Sequence, residues 1–60
     1  MILIKLSTFA DREVWVNPHY IASMVRSESG TNVFIANDSD PIRVKETPED
    51  IMQLIIDSVQ

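Results

Sequence analysis

No cysteine occurs in this chain, and glycine, histidine and tryptophan occur once each. Without cysteine there are no disulfides and no thiolate zinc sites. His19 alone cannot build a His-rich metal site, and Gly30 alone cannot make a glycine-rich phosphate loop. Basic residues are also scarce: five Lys and Arg stand against nine Asp and Glu, a formal net charge of −4. That balance argues against nucleic acid and anionic membranes as general partners, since both are held by clustered cations. No apolar run approaches the roughly 20 residues of a membrane span. Met1 to Leu6 is apolar, but it has no basic region before it and no small-residue cleavage site after it. It does not read as a signal peptide. The expected location is therefore the cytoplasm, that of a bacterium or of a host cell if the chain is phage-encoded.

What is present is apolar: 45% of 60 residues, too much for a disordered segment. Residues 1–60 read as a single domain, β-rich over 1–46 and helical over 47–59. A domain this small buries only about 60% of the surface its unfolded chain exposes. One such core rarely supplies more than about 3–5 kcal/mol. With disulfides and thiolate or His-rich metal sites excluded, the usual support left is a second copy, so a homo-oligomer is expected, the alternative being an unusually well-packed monomer.

Ile2 to Leu6 alternates with period two, Ile2, Ile4 and Leu6 on one face. Ser7 to Arg12 is a connection. Glu13-Val14-Trp15-Val16 is a short strand by its β-branched and aromatic content. Asn17-Pro18 signals a turn, because proline pushes the preceding residue out of the α region. Tyr20 to Arg26 is read as a strand with apolar residues on both faces, as in a central strand or one at a subunit contact. Ser27-Glu28-Ser29-Gly30 is a turn in which Gly30 is expected to supply a positive φ. Thr31 to Ala36 is a strand, Asn37 to Pro41 a polar turn, and Ile42-Arg43-Val44-Lys45 a strand with its two cations outward. Thr47 is a natural N-cap, with Pro48 at the first helical position and Glu49 and Asp50 in the first turn. Ile51, Ile55 and Val59 repeat at helical spacing, and Met52, Leu54 and Ile56 widen the stripe. The fold class is α+β: an antiparallel β-meander or barrel-like sheet of about five strands, with one C-terminal helix.

The chain offers little to catalysis. A nucleophile needs an adjacent base, and only His19 qualifies, in a turn without any nucleophile motif around it. Asp38 and Asp40 are turn residues, too few for a calcium site. Glu49 and Asp50 are first-turn charges. No catalytic residue, cofactor or metal is expected, and the chain reads as a non-enzyme. Two surfaces remain. Trp15 and Tyr20 flank the Asn17-Pro18 turn, and alternation turns Trp15 away from Val14 and Val16. Together with Met24, Met52 and Ile56 they are the candidate protein interface, for a second copy and for an unidentified protein partner. Arg26, Arg43 and Lys45 are a candidate anionic-ligand or RNA patch if symmetry repeats them. Their ordinary explanation is a solvated strand face.

Several segments taken in order resemble the FlbD/SwrD-like family of small bacterial flagellar proteins. They are Ile4-Lys5-Leu6, Val16-Asn17-Pro18 with Ile21, Thr31-Asn32-Val33, and Ile42-Arg43-Val44-Lys45-Glu46-Thr47 leading into the helix. The family tends to carry Asn-Gly before its last strand and a glycine in its first hairpin. Here Asn37-Asp38-Ser39-Asp40-Pro41 and Ala10-Asp11-Arg12 stand instead, as in a distant or phage-encoded relative. The resemblance implies a small non-enzymatic cytosolic accessory protein of motility, with no catalytic residues to carry over. Met1 to Ile4 is also similar in character to the start of the carbon storage regulator, an RNA-binding dimer. That protein's Gly-Glu and glycine-rich middle are missing here.

Overall fold

The computed structural model describes residues 3–58 of the 60. Ile2 and Val59, read above as strand and helix positions, lie outside the described residues. The elements are β1 (Ile4–Ser7), β2 (Glu13–Val16), a 3-10 turn (Pro18–Tyr20), β3 (Ile21–Arg26), β4 (Thr31–Ile35), β5 (Ile42–Val44) and α1 (Pro48–Ser58). The class is α+β as expected, but the strands form two small antiparallel sheets, β1-β2 and β3-β4-β5, not one meander and not a closed barrel. The division falls at Asn17-Pro18. Asn17 Oδ1 accepts from His19 N at 2.9 Å, and Tyr20 N donates to Asn17 O at 3.0 Å. These bonds wind the chain into a 3-10 turn, so β2 and β3 do not form a hairpin. Tyr20 belongs to that turn and not to the strand.

The β1-β2 hairpin closes with Thr8 N donating to Arg12 O at 2.8 Å. Asp11 sits there at φ 58, the left-handed position such three-residue loops require. Asn37, at φ 70, fills the equivalent role after β4. Gly30 does not have the positive φ expected of it; no described glycine does. Its reason is steric. A Cβ on Gly30 would lie 2.0 Å from the Val44 carbonyl oxygen, so β5 passes too close for any side chain.

The sheets meet along a narrow seam between β1 and β5. Thr8 bridges Val44, and Lys45 N donates to Ser7 O at 2.8 Å. Glu46 completes it: both carboxylate oxygens accept from Ser7 N, at 2.9 and 3.0 Å. The buried Thr31 hydroxyl donates to Glu46 O at 2.7 Å, so this interior polar group is satisfied. Val44, Lys45, Glu46 and Thr47 thus serve in turn as core residue, seam donor, seam acceptor and helix cap. Asp50 N donates to the Thr47 hydroxyl at 3.1 Å, confirming the cap.

Period-two alternation builds the core. Ile4 and Leu6 of β1, Val16 of β2, Val33 of β4 and Val44 of β5 are buried, and Ile51 is the one buried residue of α1. β3 departs from the pattern. Its register with β4 shifts between Ile21 and Ser23, a bulge at Ala22 that resets the alternation. Ile21 and Met24 are therefore both half-buried against the core, while Val25 is 51% exposed. β3 is an edge strand and not a central one.

Among the described residues three ion pairs decorate the surface: Lys5–Glu13 at 3.1 Å, Lys45–Asp11 at 2.7 Å, and Arg26–Glu49. The Lys45 ammonium, first by its hydrogen bond and then by its charge, holds the Asp11 carboxyl below its ordinary value of 3.8. The Arg26 hydrogen bond does the same to Glu49, below 4.5. Both carboxylates are fully exposed, so the effect on stability is small and screened by salt. Its sign is definite. A depressed folded pKa stabilises at pH values above the unfolded pKa, and the contribution is lost as pH falls through the folded value. In low salt, the melting temperature of the Asp11→Asn, Glu49→Gln double variant is expected to fall less than that of the original chain between neutral pH and pH about 3. Equal slopes would remove both pairs from the stability account.

Candidate functional site: an aromatic groove between the sheets

Because the sheets do not close, an open groove of about 220 Å³ remains between β2 and the β4–β5 turn. Alternation along β2 sends Val14 and Val16 inward and leaves Trp15 59% exposed. The 3-10 turn presents Tyr20, 57% exposed, along the same groove. Val14, Ile35 and Ile42 supply apolar walls continuous with the core. Asn17 and Asp38 are its polar members, and no cation lines it.

The expected interface residues separate into two places. Trp15 and Tyr20 share the groove. Met52 and Ile56, 47% and 43% exposed, lie on α1 and do not line it. Met24 is half-buried and packs against the core, because the Ala22 bulge turns it inward. The proposed cation patch is not a free cluster. Arg26 faces Glu49, Lys45 faces Asp11, and the Arg43 guanidinium lies 5.9 Å from the centre of the Phe9 ring. His19 is exposed in its turn, bonded through its backbone to Asn17. No group of three or more His, Asp or Glu arranged for a metal occurs among the described residues. No described helix is long and apolar enough to cross a membrane.

Sequence reasoning missed Ile35, Asp38 and Ile42 as groove residues. Asp38 was explained fully by turn chemistry, and only the three-dimensional return of β4 and β5 brings it opposite β2. A larger hollow of about 410 Å³ lies against α1, lined by Lys5, Glu46, Asp50, Gln53 and Leu54. Its charged groups already have structural duties: Lys5 pairs with Glu13, and Glu46 holds Ser7. The aromatic groove is the better candidate because its exposed rings have no structural duty of that kind.

No protein-family model, no curated protein and no solved structure matches this chain.

Proposed function

We propose that this chain is a small cytosolic accessory protein that acts by binding other proteins and not by catalysis, with the Trp15–Tyr20 groove as its recognition surface. One observation carries the reading: two more-than-half-exposed aromatic side chains converge on one apolar groove. Tryptophan and tyrosine combine large contact area with few rotatable bonds, which is why they dominate binding hot spots. The resemblance to FlbD/SwrD-like proteins adds motility as the setting, in a bacterial or phage-encoded form. The test is selection from a displayed random-peptide library, run in parallel on the original chain and on a Trp15→Ala, Tyr20→Ala double variant. Both residues are exposed, so the double variant is expected to keep its fold by circular dichroism. Peptides enriched on the original chain and lost from the variant are the expected result. Identical enrichment on both would reject the groove.

Self-association is the second part of the proposal, and a different observation favours it. β3 ends its sheet with no strand beyond it, Val25 on that strand is 51% exposed, and Met52 and Ile56 are exposed on α1. Unpaired strand edges beside apolar surface are templates for pairing with another chain. Native mass spectrometry at micromolar concentration should show a defined oligomer that Val25→Lys dissociates. A monomer at every concentration would end this part of the proposal without touching the groove.

A further inference from the structure

We propose that the occupant of the Trp15–Tyr20 groove is a proline-rich segment in the polyproline II conformation, flanked by a basic residue. The inference rests on the groove being the recognition surface, and it adds the chemistry of the partner.

Three features point to this ligand. The first is shape. At about 220 Å³ the groove is open and smaller than the roughly 300 Å³ at which small-molecule pockets begin. Shallow aromatic-lined grooves suit a polyproline II helix, which is pre-ordered and loses little entropy on docking. Its three residues per turn bring side chains onto one face about every 9 Å, an apolar ridge that can lie along such a groove. The second is hydrogen bonding. A proline-rich backbone has carbonyl acceptors and few N–H donors. The indole N–H of Trp15 is a donor only, and the Tyr20 hydroxyl donates as readily as it accepts. Both residues are more than half exposed. The third is charge. Asp38 lines the groove, the exposed Asp40 follows two residues later, and no cation is present among the lining residues. On a chain of net charge −4 this selects a lysine or arginine beside the proline run.

The protein carries its own reporter, because Trp15 is the only tryptophan. The probe is a synthetic proline-rich peptide with an arginine at one end, compared with the same peptide carrying glutamate there and with a proline-free apolar peptide. The arginine peptide should give a saturable blue shift of Trp15 emission. Tyr20→Ala, which keeps the reporter, should weaken that binding about tenfold or more. Asp38→Asn should weaken the arginine peptide about two- to fivefold and leave the glutamate peptide no weaker. Two results overturn the inference while leaving the groove as the recognition surface. In one, proline-free peptides from the library bind through Trp15 and Tyr20 and the arginine peptide gives no saturable shift. In the other, the glutamate peptide binds as tightly as the arginine peptide. Binding of the arginine peptide undiminished by Tyr20→Ala overturns the inference by placing that ligand elsewhere. Failure of every peptide, library-derived ones included, rejects the inference together with the reading beneath it.

Discussion

Gly30→Ala is expected to lower the melting point by about 12–24 °C and to leave up to about half of the protein unfolded at room temperature. The added methyl would lie 2.0 Å from the Val44 carbonyl oxygen, 3.0 Å from the Val44 carbonyl carbon and 3.1 Å from Lys45 Cα. All three are backbone atoms, so no side chain can rotate to make room. The contact also lies at the seam, where Val44 bridges Thr8 and pairs with Thr31. Moving β5 away would disturb both sheets together. Overpacking a core ordinarily costs about 1–3 kcal/mol, and a backbone clash this close belongs at the top of that range. Set against a total of about 3–5 kcal/mol for a domain of this size, little remains. Ser29→Ala is the control: the side chain is exposed and its loss should cost within about 0.5 kcal/mol. Thermal unfolding followed by circular dichroism decides between them. A Gly30→Ala protein melting within two or three degrees (about 0.5 kcal/mol) of the original would show that β5 can withdraw freely.

Ile51→Ala should be comparably damaging, by a different route. Ile51 is the one residue of α1 that is completely buried, and it joins Leu6, Val33 and Val44 in the core. Truncating such a side chain costs about 2–5 kcal/mol. The helix has eleven residues, short of the roughly 12–15 at which an isolated helix becomes even marginal in water. It therefore persists because it is docked, and Ile51 is its deepest anchor. The variant should lose helical circular dichroism together with, or before, its strand signal. Ile56→Ala, on the exposed side, should change stability by less than about 1 kcal/mol. A full helical signal and an unchanged melting point in Ile51→Ala would mean that Leu54 and Ile55 hold the helix without it.

The local features of this fold were legible in the sequence because local chemistry determines them. Alternation groups Ile4 with Leu6 and Ile42 with Val44 and sets Trp15 apart from Val14 and Val16; Ile4, Leu6, Val16 and Val44 are buried and Trp15 is exposed. Thr47 and Pro48 marked the start of the helix, and the structure begins it there. The misses have non-local causes. A bulge at Ala22 leaves no mark in a strand with apolar residues on both faces, yet it decides that Met24 faces the core and Val25 faces solvent. Gly30 looked like a turn glycine because turns are the usual reason for one. Its actual constraint comes from Val44, fourteen positions away and unseen until β5 folds back. The basic residues looked free because Arg26 and Glu49 are separated by 23 positions, and Lys45 and Asp11 by 34. For the same reason half of the groove was visible. Trp15 and Tyr20 flank one turn, whereas Ile35, Asp38 and Ile42 arrive from the other sheet.

The seam also imposes an order on synthesis. Ser7 is made early, but its two partners, Lys45 and Glu46, are the thirty-eighth and thirty-ninth residues after it. A nascent chain that has emerged as far as Ala36 holds both strands of the first hairpin and the first two strands of the second sheet. It does not yet have the seam that Val44, Lys45 and Glu46 make with the first hairpin. Leu6 and Val33 share their core with Val44 and Ile51, so that core can be completed only after residue 51 has left the ribosome. The groove is complete slightly earlier, once Asp38 and Ile42 have followed Ile35. A partner that recognises the finished groove would thereby meet only chains whose β4–β5 turn has already emerged.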